Sequence, residues 1–165
     1  MIVNKNLRII ALAEIINTKI GRFWTGDKIS ELTDNQIFVF GSNPEGRHGK
    51  GAAKQAMEWG AIYGKGRGLQ GRAYALVTKN LTVGYVEEAT GIKYRKYGGV
   101  KYHQLVENIQ ELYACARNLP DMDFLVPYKV GDNNLNGYST EMLMCAFKQD
   151  KPDNVILHES VEYSL

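Results

Sequence analysis

The densest chemistry in the chain lies in one run, Gly41-Ser42-Asn43-Pro44-Glu45-Gly46-Arg47-His48-Gly49-Lys50-Gly51-Ala52-Ala53. Glycines let a backbone approach a ligand without a Cβ in the way. The amide groups so exposed, and those of a helix that begins here, can receive phosphate oxygens. Asn43 adds a carboxamide suited to a ribose hydroxyl, and Arg47 and Lys50 add positive charge. The run is neither a P-loop, which needs GK followed by Ser or Thr, nor the dinucleotide fingerprint GxGxxG. Its competing reading is a loop that is only tight.

A second polar turn, Gly131-Asp132-Asn133-Asn134-Leu135-Asn136-Gly137, follows another apolar segment and leads into Tyr138. Tyr138 either stacks on a ribose or a base, or staples the turn to the core. Thr78 and Lys79 end a third apolar run, with Lys79 facing phosphate or solvent. His48 is a phosphate ligand or a hydrogen-bonding spacer. His103 and His158 share no motif with a second ligand residue and read as structural or surface groups. Tyr85, Tyr94, Tyr97 and Tyr102 interleave with Lys93, Arg95, Lys96 and Lys101. This is compatible with stacking on single-stranded nucleic acid, although a protein-contact surface or a mobile loop is the stronger reading.

These groups need a scaffold to bring them together. Ile37-Phe38-Val39-Phe40 reads as a buried parallel strand ending on Gly41. Ala52, Ala53, Ala56 and Gly60 recur at helical spacing, giving a small-residue face for close packing on a sheet. Tyr74 to Thr78 reads as a second strand, and 81–99 as a long loop or irregular hairpin. Leu105, Ile109, Leu112 and Ala116 give the clearest helical period, stopped by Pro120. Phe124 to Val130 reads as a third strand interrupted at Pro127. Met142, Leu143, Ala146 and Phe147 mark a further helix, and Asn154 to His158 a last strand. The apolar stretch from Leu7 to Ile16 is either a strand or a short helix. The resulting βαβαβαβ alternation predicts a mostly parallel sheet with helices on both faces and ligands beyond the strands' carboxyl ends.

At 165 residues, 44% hydrophobic and 23% charged, the chain is read as one globular domain over 1–165. A net charge of +2 argues against a duplex nucleic-acid binder. Its distribution is uneven: from Gly41 to Arg72 six basic residues face two acidic ones, a local +4, leaving −2 for the rest. Nine of the 17 glycines fall in the same span, so positive charge and glycine coincide. Cys115 and Cys145 sit among apolar neighbours without zinc-site spacing and read as buried thiols. No metal, cofactor or membrane span is expected, and a reducing cytoplasm is the expected setting, that of the host if the protein is viral.

Gly26-Asp27-Lys28-Ile29, the strand 37–40, Asn43 and then His48-Gly49-Lys50-Gly51-Ala52 together resemble the macro domains, a family that binds ADP-ribose. Tyr74-Ala75-Leu76-Val77-Thr78-Lys79 resembles a strand end in the subgroup that includes DNA-deADP-ribosylating antitoxins and related phage and bacterial proteins. The resemblance implies a single three-layer α/β/α domain with a mostly parallel central sheet. It implies that Asp27 accepts from the adenine amine, that Asn43 contacts the distal ribose, and that Gly49 to Ala52 lie along the diphosphate. Ser42, His48, Lys50, Gly51, Thr78, Lys79, Gly131, Asn133, Asn134, Asn136, Gly137 and Tyr138 complete the expected site. Hydrolysis of an ADP-ribosyl linkage would use Asn43 to fix the ribose and Asp132 as general base. Where the subgroup carries a lysine nucleophile this chain has Met57, with Lys54 one turn earlier. The expected partner is therefore an ADP-ribose-like small molecule or an ADP-ribosylated macromolecule, hydrolysed or only bound. A non-catalytic module that sequesters a nucleotide or docks on a protein is the second reading, and a single-stranded nucleic-acid binder the third.

Overall fold

A computed structural model describes residues 13–130 and 137–164, with side chains through Val161. Among the described residues, one seven-stranded sheet dominates. Its members are β1 (Glu14–Thr18), β2 (Gly21–Thr25), β3 (Gln36–Ser42), β4 (Gly68–Gln70), β5 (Ala73–Val77), β10 (Asp123–Leu125) and β11 (Val155–His158), in the order β1-β2-β11-β10-β3-β5-β4. The inner pairings from β2 to β5 are parallel. The outermost strands β1 and β4 pair antiparallel. The chain is thus mixed α/β with a large mixed sheet.

Strand β3 shows why both faces of this sheet are apolar. Successive side chains alternate, so Ile37 and Val39 enter one core while Phe38 and Phe40 enter another. The first core is filled by helix α2 (Tyr102–Asn118) through Leu105, Ile109, Leu112 and Ala116, and by helix α3 (Thr140–Lys148) through Leu143, Ala146 and Phe147. Each fully buried Leu or Phe contributes about 1.5–3 kcal/mol of apolar burial. The second core takes Ala56 of helix α1 (Gly51–Ala56) with Trp24 and Ile29. Gln55 ties α1 down by donating to the Ile29 carbonyl at 2.8 Å.

Several sequence expectations need correction. The small-residue helix stops at Ala56, and a 3-10 turn over Met57–Trp59 follows it. Gly60 closes this turn in the left-handed region at φ 112°, where only glycine is unstrained. A Cβ there would also lie 2.9 Å from the Gly71 Cα. The third strand ends at Leu125. Val126 still donates to the Ile156 carbonyl at 3.0 Å, but Pro127 has no N–H to continue the ladder. The stretch from Leu7 to Ile16 yields part of β1, and residues 1–12 lie outside the described residues. With β1 and β2 forming a hairpin, the simple βαβαβαβ order is replaced by a pair of strands at the start.

The segment 79–99 forms two small antiparallel ladders, β6 (Lys79–Asn80) with β9 (Gly98–Gly99) and β7 (Tyr85–Val86) with β8 (Lys93–Tyr94). On α3 the buried set is Leu143, Met144, Ala146 and Phe147, so Met142 and Cys145 turn outward. Cys145 is exposed and Cys115 half-buried, unlike the buried thiols expected. No helix among the described residues is long and apolar enough to cross a membrane.

Candidate functional site

The parallel strands β3, β5 and β10 all end at one edge of the sheet, and the segments leaving them line a cleft of about 610 Å³. This is where ligands sit in open α/β sheets, and the size suits a nucleotide-scale ligand. From β3 come Gly41, Ser42 and Asn43, from the next loop Arg47 and Gly49 to Ala53, from β5 and β6 Thr78 and Lys79, and from β10 Pro127 to Lys129. A second cavity of about 460 Å³ shares Gly51, Ala52, Pro127 and Lys129 with the first, so the two adjoin. Trp24, Asp27, Lys28 and Gln55 line only the second cavity, whereas Leu81, Leu143 and Met144 line only the first. Gly51 and Ala52 of the glycine loop thus stand at the waist where the two cavities meet.

The loop is held by its own side chains. Asn43 accepts from the Arg47 N–H at 3.0 Å through Oδ1 and donates to the Arg47 carbonyl at 3.1 Å through Nδ2. A carboxamide retains one further donor and one further acceptor after two such bonds. Gly46 and Gly66 let this loop lie backbone to backbone on the segment 64–66: a Cβ on Gly66 would sit 2.1 Å from the Asn43 carbonyl oxygen, and one on Gly46 2.4 Å from the Lys65 nitrogen. Gly64 donates to the Gly46 carbonyl at 2.8 Å across the same contact.

Gly49 and Gly51 differ from these two. A Cβ at either would meet no atom within 4 Å. Gly51 has φ +59°, which explains its glycine, but Gly49 is neither positive in φ nor crowded. Nothing inside the described protein demands glycine at 49, and both residues face the cleft. The first bond of α1 runs from the Lys54 N–H to the Lys50 carbonyl at 3.3 Å. The amides of Gly51, Ala52 and Ala53 precede it, and Lys50 provides no side-chain cap. A helix of only six residues carries a small dipole, so attraction for an anion falls chiefly to the loop amides and the nearby cations.

Arg47, Lys50, Lys79 and Lys129 line the larger cavity, and no carboxylate does so among the described residues. Arg47 is engaged by Glu45 at 2.6 Å and Lys129 by Asp27 at 3.0 Å. Asp27 has 93% of its side chain exposed, so its pair contributes at most about 1 kcal/mol. No group of three or more His, Cys, Asp or Glu positioned for a metal is found among the described residues.

Of the residues expected from the sequence, Ser42, Asn43, Gly49, Lys50, Gly51, Ala52, Thr78 and Lys79 meet in the larger cavity. Asp27 meets Gly51 and Ala52 in the smaller one. His48 is not a cleft residue: it is fully buried, its ring edge-on to Phe40, with Nε2 donating to the Lys65 carbonyl at 2.9 Å. The carbonyl can only accept, which assigns the proton to Nε2. Tyr138 is buried and its hydroxyl donates to the Val100 carbonyl, so it staples the core instead of lining the cleft. Gly137 also lies outside the lining residues. Gly131, Asp132, Asn133, Asn134 and Asn136 lie outside the described residues. Arg47 was read only as part of the loop's positive charge, and Leu81, Tyr128, Lys129, Leu143 and Met144 were not expected at the site. Pro127, ending a strand two residues before a lysine, was the one available signal.

The interleaved tyrosines divide as well. Tyr94 is buried, and Tyr85 and Tyr102 pack half-buried on the core, whereas Tyr97 is 68% exposed. His158 is buried, its Nε2 donating to the Gly26 carbonyl and its Nδ1 accepting from the Ser160 N–H, and its ring is edge-on to Trp24. His103 is exposed.

Comparison with protein-family models, with curated proteins and with solved structures finds no match for this chain.

Proposed function

We propose that the cleft binds ADP-ribose or a closely related nucleotide diphosphate sugar, and that the chain is a macro-like domain in which helices close both faces of the sheet as outer layers. The observation that carries this reading is Gly49, a glycine facing the cleft with neither strain nor crowding to require it, set between Arg47 and Lys50. A diphosphate approaching the backbone accounts for it. The adenine would occupy the smaller cavity beside Asp27, the diphosphate the waist at Gly49 to Ala52, and the distal ribose the neighbourhood of Asn43 and Thr78. Calorimetric titration with ADP-ribose tests this. Saturable heat with one site is expected, and neither heat nor a thermal shift at millimolar ligand would end the proposal.

Binding without turnover is the form that the described residues favour. Met57, which stands where the related subgroup has a lysine, is 41% exposed and outside the cleft, and Lys54 is not a lining residue either. Hydrolysis of an ADP-ribosyl linkage, with Asp132 as base, is the competing proposal. Release of free ADP-ribose from a modified protein or oligonucleotide by the wild-type chain, lost in Asp132→Asn, would establish it.

A further inference from the structure

The far end of the larger cavity is chemically unlike its waist. At the waist lie glycine amides and cations, whereas elsewhere the walls include Leu81, Leu143 and Met144, with Tyr128 and a single helix hydroxyl, Thr140. Leu143 and Met144 belong to α3 and line this cavity but not the one that Asp27 lines. If adenine and diphosphate lie as proposed above, on which this inference rests, a terminal ribose alone would turn several hydroxyls toward hydrocarbon. Burying a hydroxyl without a partner is unfavourable. A flat heterocycle attached to that ribose would instead find a thioether, two branched alkyl groups and an aromatic ring, all suited to its face.

We propose that the ligand is a dinucleotide held whole: two ribosides joined through a diphosphate, the second carrying a ring in the chamber between Leu81, Tyr128, Leu143 and Met144. Charge restricts the ring further. Lys79 lines the same cavity without a carboxylate among the described lining residues, and Lys129 already has its carboxylate in Asp27, so a cationic pyridinium is disfavoured beside Lys79 and a neutral ring preferred. The dihydronicotinamide of a reduced pyridine dinucleotide and the second adenine of a diadenosine diphosphate both meet this requirement.

Calorimetric titration of the intact chain with ADP-ribose, reduced nicotinamide adenine dinucleotide and diadenosine diphosphate tests the proposal. At least one neutral dinucleotide should bind about tenfold or more tightly than ADP-ribose, and whichever is tighter names the ring. Met144→Glu and Leu143→Gln, each checked for folding by thermal denaturation, should reduce that ratio toward one. Should a variant fail to fold, the ratio of the wild-type affinities still decides. ADP-ribose binding as well as both dinucleotides would overturn the second-ring chamber while leaving the nucleotide site intact. No binding by any of the three would remove the nucleotide reading and this inference with it.

Discussion

The guanidinium of Arg67 grips the carboxylate of Glu87 with two hydrogen bonds of 2.9 Å each, and both side chains are nearly inaccessible, at 12% and 4% exposure. Arg67 also donates to Asn108 and Glu111 of α2, and Asn108 in turn donates to the Val77 carbonyl at the end of β5. Glu87 accepts in addition from Thr90 and Tyr94. One ion pair thereby fastens the glycine-rich 64–68 segment and the 85–94 hairpin to the sheet edge that forms the cleft. Breaking a buried pair leaves the remaining charge uncompensated and costs about 3–5 kcal/mol. Arg67→Met should therefore lower the midpoint of thermal unfolding by about 10 °C. An unchanged midpoint would show that the pair does not hold the hairpin.

The same cluster makes stability depend on pH. Burial alone would raise the Glu87 carboxyl, but hydrogen bonds from Arg67, Thr90 and Tyr94 outweigh it and hold it below the ordinary carboxylate range. The folded state thus binds fewer protons at Glu87 than the unfolded chain in acid. Its contribution is present above the ordinary value of 4.5 and lost as pH falls through the lowered one. Tyr94, buried and donating to Glu87, is pushed up to about 12, so stability also declines from pH 10.0 toward 12 as the unfolded chain ionises first. Tyr138 is raised similarly, so Tyr94→Phe should flatten the alkaline limb only in part. Glu87→Gln should lower stability at neutral pH and flatten the acid limb. Denaturant titrations across this pH range would read both.

Glycines 49 and 66 should respond oppositely to alanine. At Gly66 a Cβ would collide with the Asn43 carbonyl oxygen, and overpacking of this kind costs about 1–3 kcal/mol. At Gly49 the space is open, and alanine reduces the freedom of the unfolded chain, so stability should stay within about 0.5 kcal/mol. Affinity for ADP-ribose should nevertheless fall in Gly49→Ala, because the methyl group occupies the approach to the backbone. Equal affinity in that variant would leave Gly49 without a ligand-related role.

This contrast also explains how far the sequence could be read. Through the unbroken apolar run Ile37 to Phe40, buried on both faces of the sheet, and the period of Leu105, Ile109, Leu112 and Ala116, β3 and α2 were legible from local pattern. Which glycines serve packing was not, because the contact between 43–46 and 64–66 joins segments about 20 residues apart. His48 misled for the same reason: its partner, the Lys65 carbonyl, belongs to that distant segment. Lys129 follows Pro127, which ends the β10 ladder early, Leu143 looked like ordinary core, and Met144 fell outside the helix face read from the sequence.

Asn43 tests whether loop closure and ligand contact can be separated. Asn43→Ala deletes both bonds to Arg47 and strands that residue's backbone groups, a loss of about 1–3 kcal/mol. Asn43→Asp keeps the acceptor for the Arg47 N–H but sets a carboxylate oxygen against the Arg47 carbonyl and near any diphosphate. Ligand affinity should therefore fall more in Asn43→Asp than in Asn43→Ala, although the alanine variant removes more hydrogen bonds. The reverse order in paired calorimetric and denaturation measurements would indicate that Asn43 only closes the loop.

Lys50 and Lys79 both line the cleft, one from the glycine loop and the other from the β5 end. Lys50 is exposed and Lys79 half-buried, so solvent and salt screen Lys50 more strongly. Each lysine should be worth about 1 kcal/mol toward a diphosphate at low ionic strength, or about fivefold in affinity. The Lys50→Ala deficit should nearly vanish when ionic strength rises to 1 M, where the screening length is about 3 Å, whereas part of the Lys79→Ala deficit should persist. If both deficits survive high salt equally, the lysines act through packing and not through charge.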